Sequence, residues 1–159
     1  MQFAIRAATF RDLDALLPIF DEVDALHREH LPHVFQDPNG PARDREYLLE
    51  LLADESVEVF VAEVAGEIGG FVQVKIRETP PFSILVPRRV AAVENLAVRE
   101  GFRRMGIGRV LMHHAQRWAE GLGASEIELT VYEFNHAAVS FYPSLGYAAS
   151  SRRMSKRLG

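Results

Sequence analysis

Cysteine is absent from the 159 residues, which removes a thiolate nucleophile, a cysteine-ligated zinc and any disulfide framework. Long apolar runs are missing too: none approaches the roughly 18 residues that span a bilayer, and the opening MQFAIRAATF lacks the apolar core of a signal peptide. The expected location is the cytoplasm, with no membrane partner. No cationic excess is present either. The 18 Lys and Arg stand against 22 Asp and Glu, a formal net charge of −4, so no nucleic-acid partner is expected and any basic site has to be local. Internal repeats and low-complexity linkers are also lacking. What is there, 48% hydrophobic and 25% charged residues, is the composition of an ordinary globular chain, and residues 1–159 are expected to form one domain able to bury its own core.

Phe3 to Arg6 reads as a short strand, and Thr9 with Asp12 as a capping box opening a helix that carries Leu13, Leu16, Leu17, Phe20 and Val23, kinked at Pro18. HREHLPHVFQDPNGP is an irregular connection, and Arg43 to Leu52 a second short helix. The β-rich runs VEVFVAEV (57–64) and IGGFVQVKI (68–76), joined by Ala-Gly-Glu, predict an antiparallel hairpin. After the loop TPPFSILVP comes a third β-rich run, Arg88 to Val98. Ile107, Leu111, Ala115, Trp118 and Leu122 recur at helical steps up to Gly121 and Gly123, and EIELTV then alternates as a strand. Asn135 is placed to cap a last helix, His136 to about Leu145, closed by Gly146, and the tail YAASSRRMSKRL is read as two final short strands. The order β-α-α-β-β-β-α-β-α-β-β predicts a mixed α/β domain with helices on both sheet faces.

The chemistry concentrates in REGFRRMGIGRVL (99–111), where Gly106 and Gly108 open the strongest helix just after a strand. Helix N-termini present unpaired N–H groups, and glycine lets an anion approach them closely. Direct hydrogen bonds to a charged acceptor contribute about 1.5–3 kcal/mol each, against about 0.3–1 kcal/mol for the helix dipole, so close backbone approach dominates. Arg103, Arg104 and Arg109 add local positive charge. Two nucleotide motifs fail here. Gly101-FRRM-Gly106 has P-loop spacing, but Ile107 and Gly108 stand where Lys and Ser/Thr are needed; a dinucleotide fingerprint wants a small residue where Leu111 sits.

Arg103-Arg104-Met105-Gly106-Ile107-Gly108 behind VENLAV resembles the Q/R-x-x-G-x-G/A signature of the GNAT superfamily of acyl-CoA-dependent N-acyltransferases. Asn135-HA-Ala138-VSF-Tyr142 and Leu145-Gly146-Tyr147 are similar to that family's second-half pattern, and the likeness is strong from Val93 to Tyr147. The resemblance implies a single domain with a central, mostly antiparallel twisted sheet of six to seven strands and about four helices on both faces. It implies acetyl-CoA as acyl-donor cosubstrate and no metal. Residue by residue, the backbone of Leu96, Ala97 and Val98 would pair with the pantetheine arm. Arg103, Arg104, Met105, Gly106, Ile107, Gly108 and Arg109 would hold the pyrophosphate. Asn135 matches the position that bonds the pantetheine end, and Tyr142 the one facing the thioester sulfur. Homodimerisation rests on family analogy alone.

The reaction asks for such groups independently. An alkyl amine of pKa about 10.4 is overwhelmingly protonated near neutrality, so a base or a water chain to one must remove a proton. An oxyanion donor typically contributes about 10²–10³ in rate, and a backbone N–H near Val98 is the candidate. Tyr142 is the candidate acid for the departing thiolate. Glu94, an acidic residue inside an apolar strand, is the candidate base. Pro143 directly after Tyr142 disfavours helical angles there, which puts the Tyr142 direction in question.

His27, His30 and His33 form H-x-x-H-x-x-H, but Pro32 interrupts the helix that would align them as metal ligands, so no metal is expected. Family members commonly line the acceptor pocket with this region, and Glu22, Asp24 and Glu29 lie nearby. Basic residues of the tail SSRRMSKR fit a charged edge strand better than an RNA contact. The expected activity is acetyl transfer by direct amine attack on the thioester, with a catalytically silent acyl-CoA-binding sensor or interaction module as the alternative. Polyamine, aminoglycoside, amino acid and protein N-terminus all stay open as acceptor.

Overall fold

Alternating and β-branched runs become five strands in the computed structural model, which describes residues 2–40 and 43–159: β1 Ala4–Ala7, β2 Val57–Val64, β3 Glu67–Glu78, β4 Arg89–Val98 and β5 Glu126–Leu129. They lie in one sheet in sequence order, antiparallel except where β4 meets β5 in parallel. A parallel pair needs a crossover, and α3 (Ile107–Gly121) supplies it. The β2–β3 connection turns through Ala65 at φ 51° and Gly66 at φ 83°, and two successive left-handed residues match the twist of a hairpin.

Each sheet face carries its own core. Helices α1 (Leu13–His30) and α2 (Arg45–Ala53) bury Leu13, Leu16, Ile19, Phe20 and Leu48 against Val57, Val59, Val61 and Phe71. On the opposite face α3 buries Ile107, Leu111, Met112, Ala115 and Ala119 against Val64, Val72, Val74, Ala91 and Val93, and α4 (His136–Ser144) adds Phe141 and Tyr142. The capping box at Thr9 and Asp12 forms as the sequence predicts, and α1 runs unbroken through Pro18. Both Arg6 Nη atoms donate to the buried Asp12 carboxylate at 2.8 Å, which holds that carboxyl below the usual carboxylate range.

One expectation needs correction. The sheet has five strands among the described residues, not six to seven, because the tail forms none of the strands read into it. Residues 148–159 are exposed throughout, and the apolar Met154 and Leu158 are 83% and 89% accessible. Alternation supplies strand propensity but not a partner edge, and here no neighbouring strand takes the tail up. β5 also stops at Leu129, two residues short of the alternating run, because β4 no longer lies beside it there.

Candidate functional site

The site begins where two strands part. β4 pairs with β5 only from Val90 to Val93, against Glu126 to Leu129, yet β4 continues to Val98. Beyond Val93, no strand among the described residues covers the β5 side of β4, so main-chain groups of the Leu96–Val98 stretch that point away from β3, apart from the Val98 carbonyl that Arg103 Nε occupies, are available to an extended ligand. A bulge adds to the separation. Gln73 pairs with Asn95 and Val74 with Val93, leaving Glu94 as the extra residue. Its effect is a change of parity: Val93 and then Leu96 and Val98 pack toward α3, while Ala97 packs toward α1.

The loop after β4 is pinned to β3 before it reaches the helix. Arg99 N–H donates to the Gly69 carbonyl at 2.8 Å, and the Phe102 ring lies so close to Gly69 that a Cβ there would sit 2.8 Å from it. Gly69 therefore serves the site by admitting Phe102, a role no local pattern announces. The backbone then passes through two left-handed residues, Arg104 at φ 65° and Gly106 at φ 83°, before α3 starts. A Cβ at Gly106 would meet nothing within 4 Å, so conformation rather than crowding demands glycine. At Gly108 a Cβ would make only ordinary contact, with Phe141 at 3.4 Å and Val98 at 3.8 Å, so what the glycine leaves there is open space beside Phe141 rather than relief from a clash.

Those residues enclose a cavity of about 290 Å³, lined by Val98, Phe102, Ile107 and Phe141 together with Gly106, Gly108, Arg103, Arg104 and Arg109. No carboxylate lines it, and none of its three arginines is ion-paired among the described residues. Arg103 Nε donates to the Val98 carbonyl at 3.1 Å, and Arg109 reaches Ser144 Oγ at 3.4 Å. Met105 packs into the α3-side core and does not line the cavity, whereas Ile107 lines it and is buried. A second recess of about 260 Å³ shares Arg109 and is walled by His113, Gln116, Ser144 and Tyr147.

Asn135 caps α4, its Oδ1 accepting the Ala138 N–H at 3.2 Å, which leaves the amide Nδ2 free to donate. Tyr142 stays inside α4 although Pro143 follows it, because the helix end grips both residues. Gly146, at φ 96°, donates its N–H to the Pro143 carbonyl at 3.0 Å, and Tyr147 donates to Tyr142 at 3.2 Å, a Schellman closure. Burial, and secondarily Tyr147, pushes the Tyr142 hydroxyl up to about 12. That hydroxyl has no protein partner, and no buried side-chain polar atom among the described residues is left unpaired, so it opens to solvent.

Glu94 lies on the other face. Arg77 Nη2 donates to its carboxylate at 2.8 Å and Gln73 Nε2 at 3.4 Å, while the buried Gln73 accepts from Asn95 Nδ2 at 3.0 Å. No motif announces the bulge or this polar group; the break in alternation at Val93-Glu94-Asn95-Leu96 is the signal that carries them. Beyond the end of β5, Tyr132 and Phe134 pack with Phe35 around His27, and His30 stacks on Phe134 at 4.4 Å. His33 lies past the end of α1, and no group of three metal-ligating side chains forms among the described residues.

Comparison with known proteins places this geometry. The model of the acetyltransferase (GNAT) family matches residues 20–147. An N-alpha-acetyltransferase of Sulfurisphaera tokodaii is 31% identical over 154 residues, 92% of this chain and 86% of that one. A tetramutant of the BH1408 protein from Bacillus halodurans superposes with a TM-score of 0.91 at 26% identity, over 98% of this chain and 99% of that one. The aminoglycoside N-acetyltransferase AAC(6')-Iy, solved in complex with CoA, superposes with a TM-score of 0.73 over 98% and 99% of the two chains; at 19% identity that likeness concerns the fold alone.

Proposed function

The chain belongs to the acetyltransferase (GNAT) family, and from that premise we propose that it moves an acetyl group from acetyl-CoA to a primary amine, on a small molecule or a protein, by direct attack on the thioester. The observation that carries this reading is the open side of β4 beyond Val93, which leads straight to a cavity bearing three arginines and no carboxylate. An extended amide-bearing arm ending in a diphosphate fits both halves. Leu96, Ala97 and Val98 would take the arm as a strand takes a neighbour, and Arg103, Arg104 and Arg109 with the first turn of α3 would hold the diphosphate. The recess past Arg109 leaves room for the rest of the donor.

Acetyl-CoA supplies the activated acyl group; the protein's part is to orient it and manage charge. Asn135 Nδ2 would donate to the arm, and a main-chain N–H near Val98 would stabilise the oxyanion, an interaction typically contributing about 10²–10³ in rate. Tyr142 keeps its proton to about pH 12, well above an ordinary thiol near 8.5, so it stabilises the departing sulfur as a hydrogen-bond donor rather than by full proton release. Glu94, on the face away from α3, would attract the cationic amine. A silent acyl-CoA-binding module is the second reading, favoured by one observation: the Glu94 carboxylate is already held by Arg77.

A panel of polyamines, aminoglycosides, amino acids and peptide N-termini, read by release of free CoA, separates the two. Amine-dependent release supports transfer. Tight acetyl-CoA binding with no turnover across the panel supports the silent module.

A further inference from the structure

Acyl transfer to an alkyl ammonium needs a place for the ammonium proton, and Glu94 is poorly free to take it, with Arg77 and Gln73 on its two oxygens. Another group is carried by α1, the helix that covers the same side of the sheet. His27 Nδ1 lies 2.7 Å from the Val23 carbonyl oxygen, an atom that can only accept, so Nδ1 donates there and Nε2 is the ring nitrogen left for exchange with a substrate. No described protein group hydrogen-bonds to Nε2. The ring is fixed edge-on by Phe35 and Tyr132, each at 5.4 Å between centroids, and by Phe134 at 5.6 Å.

The location follows from the chain path. Tyr132 and Phe134 lie on the segment that leaves β5 after Leu129, where β5 has stopped running beside β4. His27 packs against that segment from α1, the helix on the sheet face opposite α3, whereas the arginine cavity opens on the α3 and α4 side. A donor entering from one face and an amine from the other would meet in the gap. The aromatic walls of Phe35, Tyr132 and Phe134 also suit a cationic alkyl amine, which ring faces attract.

We propose that His27 Nε2 is the proton acceptor for the incoming ammonium, an inference that rests on the acetyl-transfer reading above. An N–H bond of the ammonium breaks and its proton passes to Nε2, directly or through one water, leaving the electron pair on the amine nitrogen. That nitrogen forms the C–N bond with the thioester carbonyl carbon. The C–S bond then breaks, the sulfur receives the second proton of the nitrogen, and the products are the amide and the free thiol. His27 returns its proton to solvent. His30 does not share the role: its ring is exposed and laid flat on Phe134, with its own Nδ1 at 3.0 Å from the Leu26 carbonyl.

The test compares two acceptors near neutral pH: the alkyl amine that the wild-type chain uses best, and hydroxylamine, whose nitrogen is already uncharged there. His27→Phe keeps an aromatic ring in the cluster. It is expected to lower kcat with the alkyl amine by about 10²–10⁴-fold while acetyl-CoA affinity and the hydroxylamine rate stay nearly unchanged. His27→Ala should regain activity with added imidazole, and His30→Phe should show no comparable loss. Equal losses with both acceptors, or a His27→Phe rate equal to wild type, overturn the assignment while leaving acetyl transfer standing. A wild-type chain that releases no CoA with any amine overturns the transfer reading, and this assignment with it.

Discussion

Tyr147 closes α4 onto Tyr142 in two ways at once: its N–H donates to the Tyr142 carbonyl at 3.2 Å, and its ring meets the Tyr142 ring edge-on, centroids 5.7 Å apart. These are the hydrogen bond and the apolar contact of a Schellman end, with Gly146 as the left-handed residue between them. The string Leu145-Gly146-Tyr147 is thus a device for fixing where Tyr142 stands. Gly146→Ala forces a side chain into φ 96° and is expected to destabilise the fold by about 1–2 kcal/mol, read as a shifted urea midpoint with unchanged slope.

Removing the hydroxyl itself separates chemistry from packing. Tyr142→Phe should lower kcat at least tenfold and leave acetyl-CoA affinity nearly intact, since the ring still fills its place beside Tyr147; an unchanged kcat would sink the donor role. The hydroxyl also predicts an alkaline signature. Its folded pKa of about 12 exceeds the ordinary tyrosine value near 10, so above pH 10 the unfolded chain loses the proton first. Stability is then fully present below pH about 10 and falls as pH rises toward 12, by about 2–3 kcal/mol. Urea midpoints measured across that range should drop in the wild type and drop less in Tyr142→Phe.

The two glycines of the loop should fail differently. Gly106→Ala strains the backbone at φ 83°, so it is expected to cost about 1–2 kcal/mol of stability and to weaken CoA binding through a displaced loop. Gly108→Val puts methyl groups into the cavity beside Phe141, 3.4 Å from where its Cβ begins. That variant should keep most of its stability and lose CoA affinity. Calorimetric titration with CoA, paired with urea denaturation, distinguishes these outcomes; wild-type affinity in Gly108→Val would remove the cavity from the donor site.

These contrasts show what the sequence can and cannot carry. β2 occupies Val57–Val64 and α3 starts at Ile107, as their periods predict, because both patterns are local. The glycine stretch was legible for the same reason, since Gly106 and Gly108 stand between a strand and the best amphipathic helix. Gly69 was not: its need for a bare Cα comes from Phe102, which is brought over it by the loop after β4. The missing last strands fail in the same way. A tail that alternates still needs an edge to pair with, and pairing is a property of the sheet rather than of the segment. In the sequence His27 stands in a histidine triplet, within a region that the family resemblance assigns to the acceptor pocket, and the aromatic residues that single it out are about a hundred positions away in Tyr132 and Phe134.

The pair Glu94 and Arg77 offers the sharpest test of how the acceptor is drawn in. Arg77 is the more exposed partner, at 56% against 30% for the Glu94 side chain, so the pair itself contributes little to stability, about 0–1 kcal/mol. Its effect on binding should be larger, because Arg77 neutralises the carboxylate that would otherwise attract a cation. Arg77→Gln frees Glu94 and is expected to lower KM for a cationic amine several-fold, more at low salt than at high salt, since the attraction is screened. Glu94→Gln should raise the same KM and flatten its salt dependence, with KM for acetyl-CoA unchanged in both variants. Opposite shifts from the two substitutions assign Glu94 to steering the amine. A collapse of kcat in Glu94→Gln at unchanged KM would instead make that carboxylate the proton acceptor, in place of His27.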